Sequence, residues 1–150
     1  VNPVPIIFLD FDGVIRIATD DTGRTSEFCQ DRMAMLASIC SDTGAKIVVS
    51  SDWRNAGNLA EIRDHLSPYL AGHLHEDWAT PIRGHRWNEI ARWMTGRRVR
   101  SYVILDDFAP HFDGCPPEMA DRLVLCSGRF GLLAPLAQRV RQLLAAPSPP

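Results

Sequence analysis

Four short apolar runs punctuate the chain, at residues 6–9, 47–49, 103–105 and 123–125. Each is rich in Ile, Val and Leu without polar alternation, the pattern of strands buried on both faces of a parallel sheet. The intervening segments carry helical spacing. Phe28, Met35, Leu36, Ile39 and Cys40 recur at that spacing ahead of Gly44, which predicts one crossover helix. Further helices are expected over about 56–66, over about 86–95 closed by Gly96, and over about 134–145, where Leu136, Val140, Leu143 and Leu144 share one side. The stretch 67–81 reads as a loop. This alternation predicts an α/β fold, a Rossmann-like three-layer sandwich with helices on both faces of the sheet. After the first strand, Val14, Ile15 and Ile17 lead into Asp20-Asp21-Thr22-Gly23 and Arg24-Thr25, which predicts a small β-hairpin flap.

In open α/β sheets ligands bind beyond the carboxyl ends of the strands, so the residues after each apolar run are the candidates for chemistry. The first run ends in Leu9-Asp10-Phe11-Asp12-Gly13, the second in Val49-Ser50-Ser51-Asp52-Trp53-Arg54, and the third in Leu105-Asp106-Asp107-Phe108. Asp10 and Asp12 stand at the strand period and project to one side if the chain stays extended. Asp106 and Asp107 add two more charges at the same edge. Four converging carboxylates repel strongly unless a hard divalent cation sits among them, and an all-oxygen donor set suits Mg²⁺. Gly13 lets the backbone leave the strand in a geometry that a β-carbon would obstruct.

Composition narrows the class. The chain has 150 residues, 45% hydrophobic and 23% charged, which fits one globular domain over 1–150 with 146–150 as a frayed tail. The net charge of −2 and pI near 6.2 exclude a protein that coats nucleic acid through its phosphates, so any such substrate is gripped locally. No apolar run approaches a membrane span, and the first residues lack the basic flank of a signal peptide, so a cytoplasmic location is expected. Cys29, Cys40, Cys115 and Cys126 have no metal-ligand spacing and read as free thiols.

The stretch from Ile7 to Ile15, the strand-terminal Ser50, and Ile104-Leu-Asp-Asp107 resemble motifs one, two and four of the haloacid dehalogenase (HAD) superfamily of phosphatases. Ser50-Ser51-Asp52-Trp53-Arg54, Thr80-Pro81, Arg86-Trp-Asn-Glu89-Ile90 and Gly131-Leu132 resemble, more narrowly, the HAD domain of Swiss Army Knife RNA-repair proteins. The resemblance covers residues 6 to 135. It implies that Asp10 is the nucleophile, Asp12 the general acid and base, and Ser50 a hydrogen-bond donor to the phosphoryl group. It also implies Mg²⁺ ligation by Asp10, the Asp12 carbonyl and Asp107, with Asp106 farther out or bound through water. The family's basic third-motif residue is usually Lys, but Lys46 begins a strand at the wrong end of the sheet. Arg86 is therefore assigned that role, with Arg83 as the alternative. Only 37 residues, 13–49, separate motifs one and two, which leaves no room for a large cap domain. Capless relatives generally act on bulky substrates.

The resulting expectation is a Mg²⁺-dependent phosphomonoester hydrolase acting on an RNA or DNA end or a nucleotide. A phosphatase for a small metabolite or phosphoprotein, and a non-catalytic phosphate-binding module, are the alternatives. Ser51, Arg54 and Gly13 are expected at the substrate, with Arg54 either reaching a neighbouring phosphate or tied structurally to an acidic residue. Trp53 and Trp78 are candidates for base stacking or for core packing. Arg97, Arg98 and Arg100 precede a strand and read as a solvated face at the opposite edge. His73, His75, Glu76 and Asp77 read as surface loop, and His111, close after the Asp pair, has no assigned role.

Overall fold

Residues 3–147 are described in the computed structural model of the chain. In chain order the elements are β1 (Ile6–Leu9), the strands β2 (Arg16–Ala18) and β3 (Ser26–Phe28), α1 (Gln30–Thr43), β4 (Lys46–Val49), α2 (Trp53–Ala56) and α3 (Leu59–Leu66). They continue with β5 (Leu74–Ala79), α4 (Arg86–Met94), β6 (Tyr102–Asp106), α5 (Pro117–Ala120), β7 (Leu123–Leu125) and α6 (Ala134–Ala145). Single 3-10 turns occupy Ala71–His73 and Ala109–Phe112.

The five sheet strands are all parallel in the order β5-β4-β1-β6-β7, and β2 pairs with β3 as a separate antiparallel hairpin. Side-chain alternation sorts the core into two layers. Ile7, Leu9, Ile47, Val49, Val103 and Leu105 face α1, α3 and α6 through Leu36, Ile39, Ile62, Leu66 and Val140. Ile6, Phe8, Val48 and Ile104 face the other way, onto Ile90 and Trp93 of α4 and Met119 of α5. Both faces of the central strands are covered, which is why they carry unbroken apolar runs. The chain is thus the three-layer α/β sandwich expected, and no inserted cap domain interrupts it among the described residues. No helix there is long and apolar enough to cross a membrane.

Several boundaries differ from expectation. The segment read as loop carries the edge strand β5, whose Leu74-His-Glu-Asp-Trp-Ala79 lacks an apolar run because its outer side meets solvent. Where a helix over 56–66 is expected, α3 starts only at Leu59 and the short α2 ends at Ala56. Gly57 between them is extended, and Asn58 caps α3 by accepting the Glu61 N–H at 3.0 Å. Phe28 belongs to β3 rather than to the crossover helix, which starts at Gln30. Part of the tail expected to fray is pinned: the Ala146 and Pro147 carbonyls accept from Arg122, while 148–150 lie outside the described residues.

Register is what positions the chemistry. Leu9 pairs with both Val49 and Leu105, and Val49 pairs with Ala79, so Asp10, Ser50, Asp106 and Thr80 emerge at one level along the sheet edge. Beyond β1, the root of the hairpin is locked to the loop after β7, where Leu132 donates its N–H to the Val14 carbonyl at 2.9 Å. Gly131 has φ +66°, and a Cβ there would overlap that same carbonyl. Gly131→Ala should therefore cost about 2–4 kcal/mol by combining backbone strain with steric overlap. Urea denaturation checks this, and a loss indistinguishable from zero would mean that the loop is not docked on the hairpin root.

Candidate active site

Three carboxylates from two adjacent strand ends converge. Asp10, Asp106 and Asp107 each offer an oxygen within 4.8 Å of the others. Asp10 follows β1, is buried, and accepts the Phe11 N–H at Oδ1 at 2.9 Å. Asp106, at the end of β6, is 0% exposed and surrounded by donors: Arg86 Nη1 on Oδ2 at 2.9 Å, and the Phe108 N–H at 2.9 Å and His111 Nδ1 at 3.3 Å on Oδ1. Asp107 is half-buried and packs against the glycines of two loops. A Cβ on Gly13, whose φ is +77°, would overlap its carboxylate, and one on Gly128 would lie 3.1 Å from Oδ2.

Arg86 is the cation that makes this cluster tolerable. Buried at the start of α4, it lies 3.3 Å from Asp10 Oδ1 and 3.2 Å from Asp52 Oδ1 in addition to its contact with Asp106. Burial pulls its pKa down, but Asp10 and Asp106 outweigh that and hold it above its ordinary range. One guanidinium does not balance the site. Asp10 is pushed up to about 7, by burial first and then by repulsion from Asp106, with Arg86 and the Phe11 N–H opposing. Asp107 is raised as well, again by burial and then by Asp106.

Asp12 stands apart from these three carboxylates, with a side chain 55% exposed. Its Oδ1 accepts from Arg16 Nη1 at 2.7 Å and its Oδ2 from Trp53 Nε1 at 2.9 Å. Ser50 Oγ and Thr80 Oγ1 are the buried side-chain oxygens without a hydrogen-bond partner among the described residues. Clefts open at this edge of the sheet. One, of about 390 Å³, runs between the hairpin and the loop after β7, with Asp12, Gly13 and Asp107 in its wall. Another, of about 270 Å³, is lined by Asp52, His85, Arg86, Phe108 and His111.

A family model described as "HAD domain in Swiss Army Knife RNA repair proteins" matches residues 6–137. The chain belongs to this family. The match runs from β1 into α6 and so takes in the whole sheet, the hairpin flap and the carboxylate edge. HAD domains form a family of phosphatase-type hydrolases. No curated protein and no solved structure matches the chain.

Within this HAD domain, Asp10, Asp106, Asp107 and Arg86 are brought together, and Ser50 stands beside Asp10 with an unpartnered hydroxyl. Arg83 is exposed and gives Glu89 Oε2 its backbone N–H, whereas Arg86 carries the guanidinium into the site. Two expected substrate contacts are corrected. The Arg54 side chain is 2% exposed, paired with Glu89 Oε1 at 2.9 Å, and donates to the Ser50, Ser51 and Thr80 carbonyls. Its groups are fully engaged beneath the loop, so it braces the motif-two turn against β5 and α4 instead of meeting a phosphate. Ser51 is buried with its hydroxyl accepting the Trp53 N–H at 3.3 Å, so its side chain shapes the turn into α2. Gly13 makes space for Asp107 by lacking a side chain.

Trp53 packs in a cluster with Phe11, Phe28 and His65 while its indole N–H holds Asp12. Trp78 packs partly buried against the larger core layer. His75 and Asp77 are strand residues of β5: His75 Nδ1 accepts the Asp77 N–H, and Asp77 pairs with Arg97, which lies over Trp93. Asp52, Glu89, Arg16 and His111 are the site residues whose roles were missed. Their partners, Arg86, Arg54, Asp12 and Asp106, are 34, 35, 4 and 5 positions away, and no motif joins them.

Breaking the buried Arg54–Glu89 pair from either side strands a charge, so Arg54→Met and Glu89→Leu should each lose about 3–5 kcal/mol, and the double variant should recover part of it. Chemical denaturation checks this. The raised Asp10 acts in the opposite direction. Its folded pKa of about 7 lies above its ordinary value of 3.8, so the folded state binds its proton more tightly. With chelator present, this group's contribution favours folding below about pH 4 and is lost as pH rises to 7. Asp10→Asn should remove that slope and raise the melting temperature at pH 8 by about 2–5 °C. Calorimetry across pH 4–8 reads both effects, and an unchanged slope would show that Asp10 is ionised throughout.

Proposed function

We propose that this domain hydrolyses phosphomonoesters by way of an aspartyl-phosphate on Asp10, with the alcohol of a nucleic-acid end as leaving group. The observation that carries the reading is the grouping at one sheet edge of Asp10, Asp106 and Asp107 with Arg86 and the unpartnered Ser50 hydroxyl. Buried hydroxyls without partners are rare, and a phosphoryl oxygen would supply the missing acceptor.

In the first step a carboxylate oxygen of Asp10 attacks phosphorus and the bond to the leaving oxygen breaks. Asp12 gives its proton to that oxygen. In the second, a water attacks the same phosphorus, Asp12 takes the water's proton, and the bond to Asp10 breaks to release phosphate. Arg86 and Ser50 Oγ donate hydrogen bonds to the phosphoryl oxygens, where negative charge accumulates. Trp53 and Arg16 hold Asp12 at the mouth of the flap cleft, a surface position from which it exchanges protons with water.

The donor set would suit Mg²⁺: Asp10, Asp106 and Asp107 offer hard oxygens only, within 4.8 Å of one another, and the Asp12 carbonyl would join them as the family resemblance implies. Asp106 already accepts from Arg86, Phe108 and His111, which supports Asp107 as the direct ligand and Asp106 as the outer one. The cation would offset the repulsion that raises Asp10 and favour its ionised, nucleophilic form. The nucleic-acid end is supported by the RNA-repair family and by a site that no cap domain covers.

Asp10→Asn should abolish turnover of an aryl phosphate, since the amide keeps the shape but cannot form the acyl-phosphate. Asp12→Asn should lose about 10²- to 10⁴-fold, less for a leaving group that needs no proton. Chelation should silence the protein and Mg²⁺ restore it. Steady-state hydrolysis by pure Asp10→Asn would remove the nucleophile assignment, and phosphate binding without any turnover by the native chain would leave a non-catalytic module.

A further inference from the structure

The cleft between the hairpin and the loop after β7 is lined by Asp12 and Asp107, whereas the cleft lined by Arg86, Phe108 and His111 contains neither. The group that protonates the leaving oxygen must lie beside the leaving group, so the leaving group belongs in the cleft between the hairpin and the loop after β7. That cleft is lined by small and polar positions, among them Gly23, Ser26, Thr22 and Gly128, which suit a sugar and its hydroxyls better than an apolar body. Its outer wall carries Arg129.

Arg129 is held out on an anchored loop. Phe130 gives its carbonyl to Arg32 at 3.2 Å, and Gly131 is pressed onto Val14, so the backbone on the C-terminal side of Arg129 is fixed. The guanidinium itself is 55% exposed and has one carboxylate partner, the fully exposed Asp21 of the hairpin tip, at 2.9 Å. An exposed pair of this kind contributes little, so replacing the Asp21 carboxylate by another oxyanion costs little, and a phosphodiester offers the bidentate geometry Arg prefers. Of the other acidic groups of the cleft, Asp20 accepts from Thr22, Gly23 and Thr25 within the turn, Asp12 is held by Arg16 and Trp53, and Asp107 stands at the inner end with Asp10 and Asp106.

We infer that the flap cleft is the nucleic-acid subsite and that Arg129 grips the phosphodiester next to the terminal phosphate, exchanging Asp21 for it. The inference rests on the phosphatase reading for its direction and adds a specificity residue to it. Arg129 then selects chains over mononucleotides, which is how a domain with net charge −2 engages a polyanion at one point. Asp21 competes with the substrate for Arg129 and restrains binding.

The test compares a mononucleotide, an aryl phosphate and ribotrinucleotides phosphorylated at either end. Arg129→Ala should lower kcat/KM on the trinucleotide about tenfold more than on the aryl phosphate, and should flatten the salt dependence by about 0.7 in log–log slope, one single-strand phosphate contact. Asp21→Asn should do the reverse and raise trinucleotide kcat/KM, an outcome no structural role for the pair produces. Fluorescence anisotropy of labelled trinucleotides on the Asp10→Asn background separates the two claims. A binding loss with Arg129→Ala supports the subsite even if no ester is turned over, in which case only the phosphatase reading falls. Equal losses on all substrates with an unaltered salt slope overturn the subsite. So does a selective loss confined to Phe108→Ala, which would put the chain in the other cleft.

Discussion

Mutual repulsion among Asp10, Asp106 and Asp107 is the constraint around which the rest of the structure is arranged. Packing three carboxylates within 4.8 Å in a largely buried place opposes folding unless positive charge and directed N–H groups compensate. The chain supplies one guanidinium, Arg86, and the backbone amides of Phe11 and Phe108. That is enough to fold but not enough to keep Asp10 ionised at its ordinary pKa. The residual imbalance is negative charge, which the divalent cation proposed above would offset.

Everything near the carboxylates is braced to resist that repulsion. Arg86 projects from α4, and α4 is tied to the motif-two turn by the Arg54–Glu89 pair, which also reaches β5 through the Thr80 carbonyl. The cation therefore cannot drift from the strand ends without breaking a second buried pair. On the other side, Gly13 and Gly128 bring two loops so close to Asp107 that its carboxylate has little freedom. The cluster is held from both flanks by contacts that have no chemical role of their own.

The flap shows how a short insertion does the work of a lid's hinge without closing the site. Its root is clamped by Leu132 on Val14, while its tip meets the facing loop through the exposed Arg129–Asp21 pair. A firm root fixes Asp12 through Arg16 and Trp53. A weakly tied tip leaves the cleft beside Asp12 open to solvent.

The three-layer sandwich and the carboxylate edge were legible in the sequence because both depend on local pattern. Strands buried on two faces must be apolar throughout, and a ligand edge must follow their carboxyl ends, so residues 6–9, 47–49 and 103–105 announced both the sheet and Asp10, Ser50 and Asp106-Asp107. The edge strand β5 was not legible, since one open side lets His75-Glu76-Asp77 stand where an apolar run would have signalled it. Nor was the choice between the two roles left open for Arg54. Arg54 and Arg86 have the same chemistry and similar proximity to motifs, yet one is locked under the turn by Glu89 and the other reaches Asp10. Spacing along the chain carries no information about which carboxylate a long, flexible cation will meet. The sequence placed Arg86 at the site, but only tertiary packing decided that Arg54 is locked by Glu89 of α4 and that the cluster of Phe11, Phe28 and His65 holds Trp53 where its indole N–H meets Asp12.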